Sequence, residues 1–204
     1  MELYFSPLAC SLAAHILVLE TGADVRLRRV ALREKKIVHN DSDFWDVAPK
    51  GKVPALVLDC GTALTENVAV LTFLADLKPE LELAPAPGQD DRYLFLQWLS
   101  YVGSELHKGI FYPIFWFDEH HASSARKLAP ERLSYLEDYF STNDFLIGNS
   151  FTAADAYLFW WFVLAPRAGI DLTKHAAISA FYERYLERPA VRTALTNEQG
   201  MLQT

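Results

Sequence analysis

Val53-Pro54-Ala55-Leu56-Val57-Leu58-Asp59-Cys60-Gly61-Thr62-Ala63-Leu64-Thr65-Glu66-Asn67 decides how the first part of this chain folds. Val53 to Leu58 is an apolar run of strand length with a proline near its start. Asp59-Cys60-Gly61 is a hairpin turn, and Thr62 to Leu64 is a short return strand. From Glu66 to Leu77 the apolar positions Val68, Leu71, Leu74 and Ala75 recur at helical spacing. The stretch therefore predicts a strand–strand–helix unit.

Upstream, Leu3 to Phe5 reads as a strand ended by Ser6-Pro7. Ser11 to Thr21 carries Leu12, Ile16 and Leu19 at helical spacing and stops at Gly22. Val25-Arg26-Leu27-Arg28 alternates as a second strand, with Val30 and Leu32 continuing its apolar positions. A polar stretch with a short helix near Phe44-Trp45 follows. Strand–helix–strand and then strand–strand–helix is the order of a thioredoxin-like domain, with a proline opening the strand after the crossover.

Downstream, Lys78-Pro79 and Pro85-Ala86-Pro87-Gly88 interrupt helical patterning. We expect an α/β thioredoxin-like domain over 1–78, a linker over 79–88 and an all-helical domain over 89–204. The helical patterns run over roughly 89–117, 124–142, 152–165 and 175–187, with a short one after Pro189.

The 204 residues carry a formal net charge of −7, with 51% apolar and 22% charged residues. This balance predicts a soluble globular chain and argues against a nucleic-acid partner, which favours a basic surface. The longest apolar run, Ala156 to Pro166, is about half of the ~20 residues a membrane helix needs. The opening Glu2-Leu3-Tyr4-Phe5 is strand-like and unlike a secretory leader. Two cysteines, Cys10 and Cys60, make no disulfide framework and fit no zinc spacing. A reduced, cytoplasmic, metal-free protein with no membrane partner is the expectation.

Cys10 lies at the strand-to-helix turn Ser6-Pro7-Leu8-Ala9-Cys10-Ser11. Helix N-termini favour an anion and lower a thiol's pKa from about 8.5 into the range ~3.5–7.5. The competing reading is a buried cysteine that only packs. A resolving cysteine three positions on is missing, since that residue is Ala13, and Cys60 lies in a distant turn. A functional Cys10 therefore needs an external thiol, of which glutathione is the abundant cytosolic one.

Val53-Pro54 admits two conformations. A cis bond would turn the Val53 backbone outward to pair with an extended peptide; a trans bond would make an ordinary edge-strand start. Thr65-Glu66-Asn67 also admits two readings. Its N–H groups and Asn67 could receive a carboxylate while Glu66 accepts from an ammonium, or Thr65 could simply cap the helix. Thr152-Ala153-Ala154-Asp155 is a capping-box pattern with a structural role. His15, in an apolar helix, is read as a hydrogen-bonded core residue. His107 and Lys108 stand on the first long helix of the second half. The basic run Arg26 to Lys36 is mostly a solvated face, and Phe111 to Phe117 supplies core and a potential apolar site.

Together Pro7-Leu8-Ala9-Cys10-Ser11-Leu12-Ala13, Pro49-Lys50-Gly51-Lys52-Val53-Pro54-Ala55-Leu56, Leu64-Thr65-Glu66, Glu105-Leu106-His107-Lys108-Gly109 and Phe151 to Leu158 resemble the bacterial beta-class glutathione S-transferases. They occur in family order across nearly the whole chain. The resemblance implies a homodimer with Cys10 beside the glutathione sulfur. It implies that Val53, before Pro54, pairs with the tripeptide and that Glu66 and Asn67 hold its γ-glutamyl end. His107 and Lys108 would reach in from the helical domain, and Lys35, or Lys36 if the loop shifts, would meet the glycyl carboxylate. Asn67 departs from the serine or glycine common in the family, which alters that geometry.

The resemblance implies conjugation of glutathione to small hydrophobic electrophiles, with Cys10 and His107 as catalytic groups. Thiol–disulfide exchange through Cys10 and a non-catalytic scaffold are the alternatives. Phe111, Phe115 and Trp161 are the expected electrophile contacts.

Overall fold

The computed structural model describes residues 1–202. Six strands form one mixed sheet: β1 (Glu2–Phe5), β2 (Arg26–Ala31), β3 (Lys36–Ile37), β4 (Ser42–Asp43), β5 (Ala55–Val57) and β6 (Ala63–Thr65), in the order β4-β3-β2-β1-β5-β6. β1 runs parallel to β2 with Leu3 opposite Leu27, and antiparallel to β5 with Leu3 opposite Leu56. A parallel pair needs a crossover, supplied by α1 (Leu12–Thr21), which ends at Gly22 with φ of 58°. β5 and β6 form the expected hairpin, followed by α2 (Asn67–Asp76). The first half is thus thioredoxin-like.

Strand alternation divides the sheet faces. Leu3 and Leu56 join the core under α1 and α2, while Tyr4, Val30 and Ala55 pack with Phe44 on the other face. The strand expected over Val53 to Leu58 starts later, because Pro54 lacks an N–H, and at its far end Leu58 donates to the Thr62 carbonyl at 2.9 Å as the chain enters the hairpin turn. The hairpin β3–β4 was not expected. Two residues per strand are too few for any periodicity to register.

The second half is helical. α3 (Asp91–Tyr101), a π-helical segment (Val102–Phe111) and α4 (Tyr112–Trp116) form one rod where the pattern over 89–117 predicts a single helix. The helix expected over 124–142 is two, α5 (Glu119–Arg126) and α6 (Ala129–Phe140). Pro130 sits in the first turn of α6, where a missing N–H costs nothing, and cannot lie inside a longer helix. α7 (Ala153–Leu164), α8 (Ala176–Leu186) and α9 (Pro189–Gly200) complete the chain; α9 is longer than the short helix expected.

α7 is the centre. Every residue from Ala153 to Phe162 is buried, which is why its sequence is apolar all round. α1 packs against α2, α7 and α9, so one continuous core runs from Leu3 to Leu195. Among the described residues no helix is long and apolar enough to cross a membrane.

Candidate functional site

The loop between β1 and α1 carries Cys10, and distant elements hold it. Leu8, with φ of 57°, donates its N–H to Glu198 of α9 at 2.6 Å and accepts from the Trp160 indole of α7 at 3.1 Å. Glu198 also meets His15 Nδ1 at 2.9 Å, both side chains being fully buried. His15 is therefore the core residue the sequence suggests.

Cys10 is buried, and its thiol donates to the Val53 carbonyl at 3.2 Å. The depressed pKa expected of a helix N-terminus is not found. Burial pushes the thiol up to about 11, against smaller lowering effects from the Asn67 side chain and the Lys108 charge. Iodoacetamide alkylation of ligand-free Cys10 should therefore follow a pH curve with a midpoint near 11. At pH 7 that leaves about 300-fold less thiolate than an unperturbed cysteine with a pKa of about 8.5 has, since each pKa unit is tenfold. A midpoint below 8, read in Cys60→Ser to isolate the site, would contradict this.

The Val53–Pro54 bond is cis. Val53 stands just beyond the last paired position of β5, Ala55, which faces Tyr4 and Thr65.

The helix after the hairpin begins one residue later than simple capping by Thr65 requires. Glu66 occupies the cap position with φ 72° and ψ 130° and makes no side-chain cap bond. That conformation is costly for a residue with a Cβ and is typical of ligand sites. The Glu66 carboxylate is exposed and paired with Lys50 at 2.8 Å, and Lys50 also donates to the Thr65 hydroxyl at 3.2 Å. Asn67 is buried, and its Oδ1 has no protein partner.

The π-helical turn brings His107 and Lys108 to the same place. His107 Nδ1 lies 2.8 Å from the Tyr157 hydroxyl, and its ring packs edge-on to Trp160. Burial, reinforced by the Lys108 and Lys52 charges, lowers its pKa to about 3, so the imidazole is neutral near pH 7. Burial likewise holds Tyr157 protonated. With Tyr157 on Nδ1, Nε2 is the nitrogen left for a ligand.

These groups line two adjoining cavities that share Cys10, Lys52, Val53, His107 and Lys108. One, of about 310 Å³, is bounded by Pro54, Glu66, Asn67 and Tyr157. The other, of about 220 Å³, has a largely apolar lining that includes Leu8, Phe111, Phe115, Trp160 and Leu164.

Seven of the eight candidate site residues thus converge. Lys35 lines neither cavity: its ammonium donates to the Gly51 carbonyl at 2.7 Å and lies over Trp45 and Trp116. Lys36 is placed in β3. Phe111 and Phe115 line the apolar cavity, but Trp161 does not. It is fully buried, donates to the Leu106 carbonyl at 3.2 Å and stacks on Phe111; its neighbour Trp160 takes the expected place. Sequence reasoning assigned no individual role to Lys52, Tyr112 or Tyr157; Tyr112 enters it only within the Phe111 to Phe117 stretch. Lys52 stands in the quoted Pro49-to-Leu56 motif, which was the available signal. The ring contacts of the other two depend on the π-helical register.

Among the described residues no group of three or more His, Cys, Asp or Glu side chains is arranged to hold a metal. Comparison with known proteins finds two family matches, the glutathione S-transferase N-terminal domain over residues 9–77 and the C-terminal domain over 90–189. The chain is 40% identical over 200 residues to the glutathione S-transferase GstA of Escherichia coli O157:H7, covering 97% of this chain and 98% of that one. It superposes on a sphingomonad glutathione S-transferase complexed with glutathione with a TM-score of 0.93, at 41% identity and 98% and 99% coverage. It superposes equally on the beta-class enzyme of Sphingomonas chungbukensis, with a TM-score of 0.93, 39% identity and 97% and 98% coverage.

Proposed function

Because the chain belongs to the glutathione S-transferase family, we propose that its two adjoining cavities are the half-sites of glutathione conjugation and that the reaction occurs where they meet, at Cys10. The convergence of Cys10, Val53, Glu66, Asn67, His107 and Lys108 on one cavity carries this reading. Glutathione extends beside Val53, its ammonium on Glu66, its γ-glutamyl carboxylate at the start of α2 and on Asn67. Lys52 and Lys108 supply positive charge to its sulfur and glycyl carboxylate. Lys35, whose ammonium donates to the Gly51 carbonyl and feels the Lys52 charge, adds to this positive field.

The Cys10 thiol donates to the Val53 carbonyl. A peptide N–H taking that carbonyl frees the S–H to donate to the glutathione sulfur, as Nε2–H of neutral His107 does from the other side. The glutathione thiol gives its proton to solvent. The thiolate attacks the electrophile, a carbon–sulfur bond forms, and the leaving group departs with its electron pair. A thiol held near 11 is a poor nucleophile, which favours conjugation over exchange through Cys10 itself. The division into a 1–78 glutathione-binding domain and an 89–204 helical domain joined by 79–88 follows the same reading. So do a cytoplasmic homodimer and a detoxifying role towards small hydrophobic electrophiles.

The test is intact-protein mass spectrometry of wild type and Cys10→Ala after incubation with oxidised glutathione, alongside 1-chloro-2,4-dinitrobenzene conjugation. We expect both proteins to bind glutathione and Cys10→Ala to keep conjugation within about tenfold, the scale of one neutral hydrogen bond. Loss of conjugation together with a stoichiometric Cys10 adduct in wild type would favour exchange. No glutathione binding in wild type would leave the scaffold reading.

A further inference from the structure

The apolar cavity has an unusual charge balance. The chain carries 26 acidic and 19 basic residues, yet no Asp or Glu lines this cavity, whereas Arg33, Lys52, Lys108 and Arg167 do. None of the four forms an ion pair among the described residues. Aromatic faces hold three of them instead. The Arg33 guanidinium lies 5.3 Å from the Trp116 ring centre, Lys52 lies 4.7 Å from that of Tyr112, and Lys108 lies 4.8 Å from Tyr112. Lys52 also donates to the Tyr112 hydroxyl at 3.1 Å, and burial is a lesser influence on that phenol than the lysine beside it.

The cations divide by position. Lys52 and Lys108 belong to both cavities, so their charge serves glutathione. Arg33, in the turn after β2, and Arg167, in the turn after α7, line only the apolar one. They come from opposite halves of the chain and are exposed, whereas Phe111 and Trp160, which line the same cavity with Phe115, are buried. Aromatic side chains take a planar ring, and a guanidinium suits a carboxylate.

We propose that the electrophile is an aromatic carboxylate, its ring on Phe111, Phe115 and Trp160 and its carboxylate on Arg33 and Arg167. This rests on the conjugation reading above and adds the charge of the second substrate. In the step itself the glutathione thiolate displaces a ring halide: the carbon–sulfur bond forms, halide leaves with the bonding pair, and the carboxylate is unchanged.

The test compares 4-chloro-3,5-dinitrobenzoate with 1-chloro-2,4-dinitrobenzene. Each kcat/KM is divided by the uncatalysed rate constant with glutathione, which removes their difference in intrinsic reactivity. We expect the carboxylate to be preferred by about tenfold at an ionic strength of about 20 mM and by much less at about 500 mM, where exposed charges are screened. The double variant Arg33→Gln, Arg167→Gln should bring the normalised ratio close to one, with circular dichroism and the thermal midpoint confirming its fold. A wild-type ratio of one or below would overturn the proposal and leave conjugation standing. A preference that survives in the double variant would overturn the assignment to these arginines. Turnover of neither compound would overturn the underlying reading itself.

Discussion

Asp155→Ala should lower the thermal midpoint by roughly 10 °C, corresponding to about 3–5 kcal/mol in a chain of this size. One Asp155 oxygen accepts the Leu146 N–H at 2.8 Å; the other accepts the Thr152 N–H at 2.8 Å and the Thr152 hydroxyl at 2.6 Å. All of this is buried, and the Thr152 oxygen closes the capping box in return. Alanine leaves three donors without partners in a place water cannot reach. Because α7 is the centre of the core, the loss is not confined to a fraying end. Asp155→Asn keeps the shape but sets one amide N–H against donors, so an intermediate loss is expected. Calorimetry of the three proteins decides it, and a shift under about 3 °C for Asp155→Ala would show that the network contributes little.

Glu66→Gly should move stability and binding in opposite directions. Glutathione affinity should fall by at least about tenfold, because a charge-assisted bond to the tripeptide's ammonium is worth roughly 1.5–3 kcal/mol. Stability should rise by about 1 kcal/mol, because glycine takes the φ of 72° without the Cβ strain that glutamate bears. The lost Lys50–Glu66 pair is exposed on both sides and offsets little of that gain. Glu66→Ala separates the two effects: it removes the same carboxylate but keeps the Cβ, so binding falls with no gain in stability. Titration calorimetry and thermal melts read both. Unchanged glutathione affinity in Glu66→Gly would remove this residue from the binding site.

Much of the fold was legible because its signals are local. The short apolar run Leu3 to Phe5, the Asp59-Cys60-Gly61 turn and the helical spacing after Glu66 each lie within a dozen residues, and each corresponds to an element of the structure. The apolar run Ala156 to Leu164 announced a helix enclosed on every side. The missing β3–β4 hairpin and the division at Pro130 mark the limit of such reasoning. Two-residue strands carry no period, and a proline compatible with a helix start resembles one inside a helix until the neighbouring turn is seen.

The amino-acid sequence by itself determined the α/β half, the helical half and most of the residues that meet in the cavities, because motif order and hydrophobic period need no knowledge of distant partners. Tertiary structure decided their chemistry. Glu198, 190 positions away, holds Leu8 and so sets the loop that presents Cys10. Enclosure by that loop and by α7 raises the thiol's pKa, against what a helix N-terminus alone would do. The π-helical turn at Val102–Phe111 shifts side chains away from the 3.6-residue register where His107 meets Tyr157, and the packing of α7 leaves Trp160, in place of Trp161, to line the apolar cavity. Burial, long-range hydrogen bonds and local charge arise only when remote segments share one space, and a linear reading holds none of those distances.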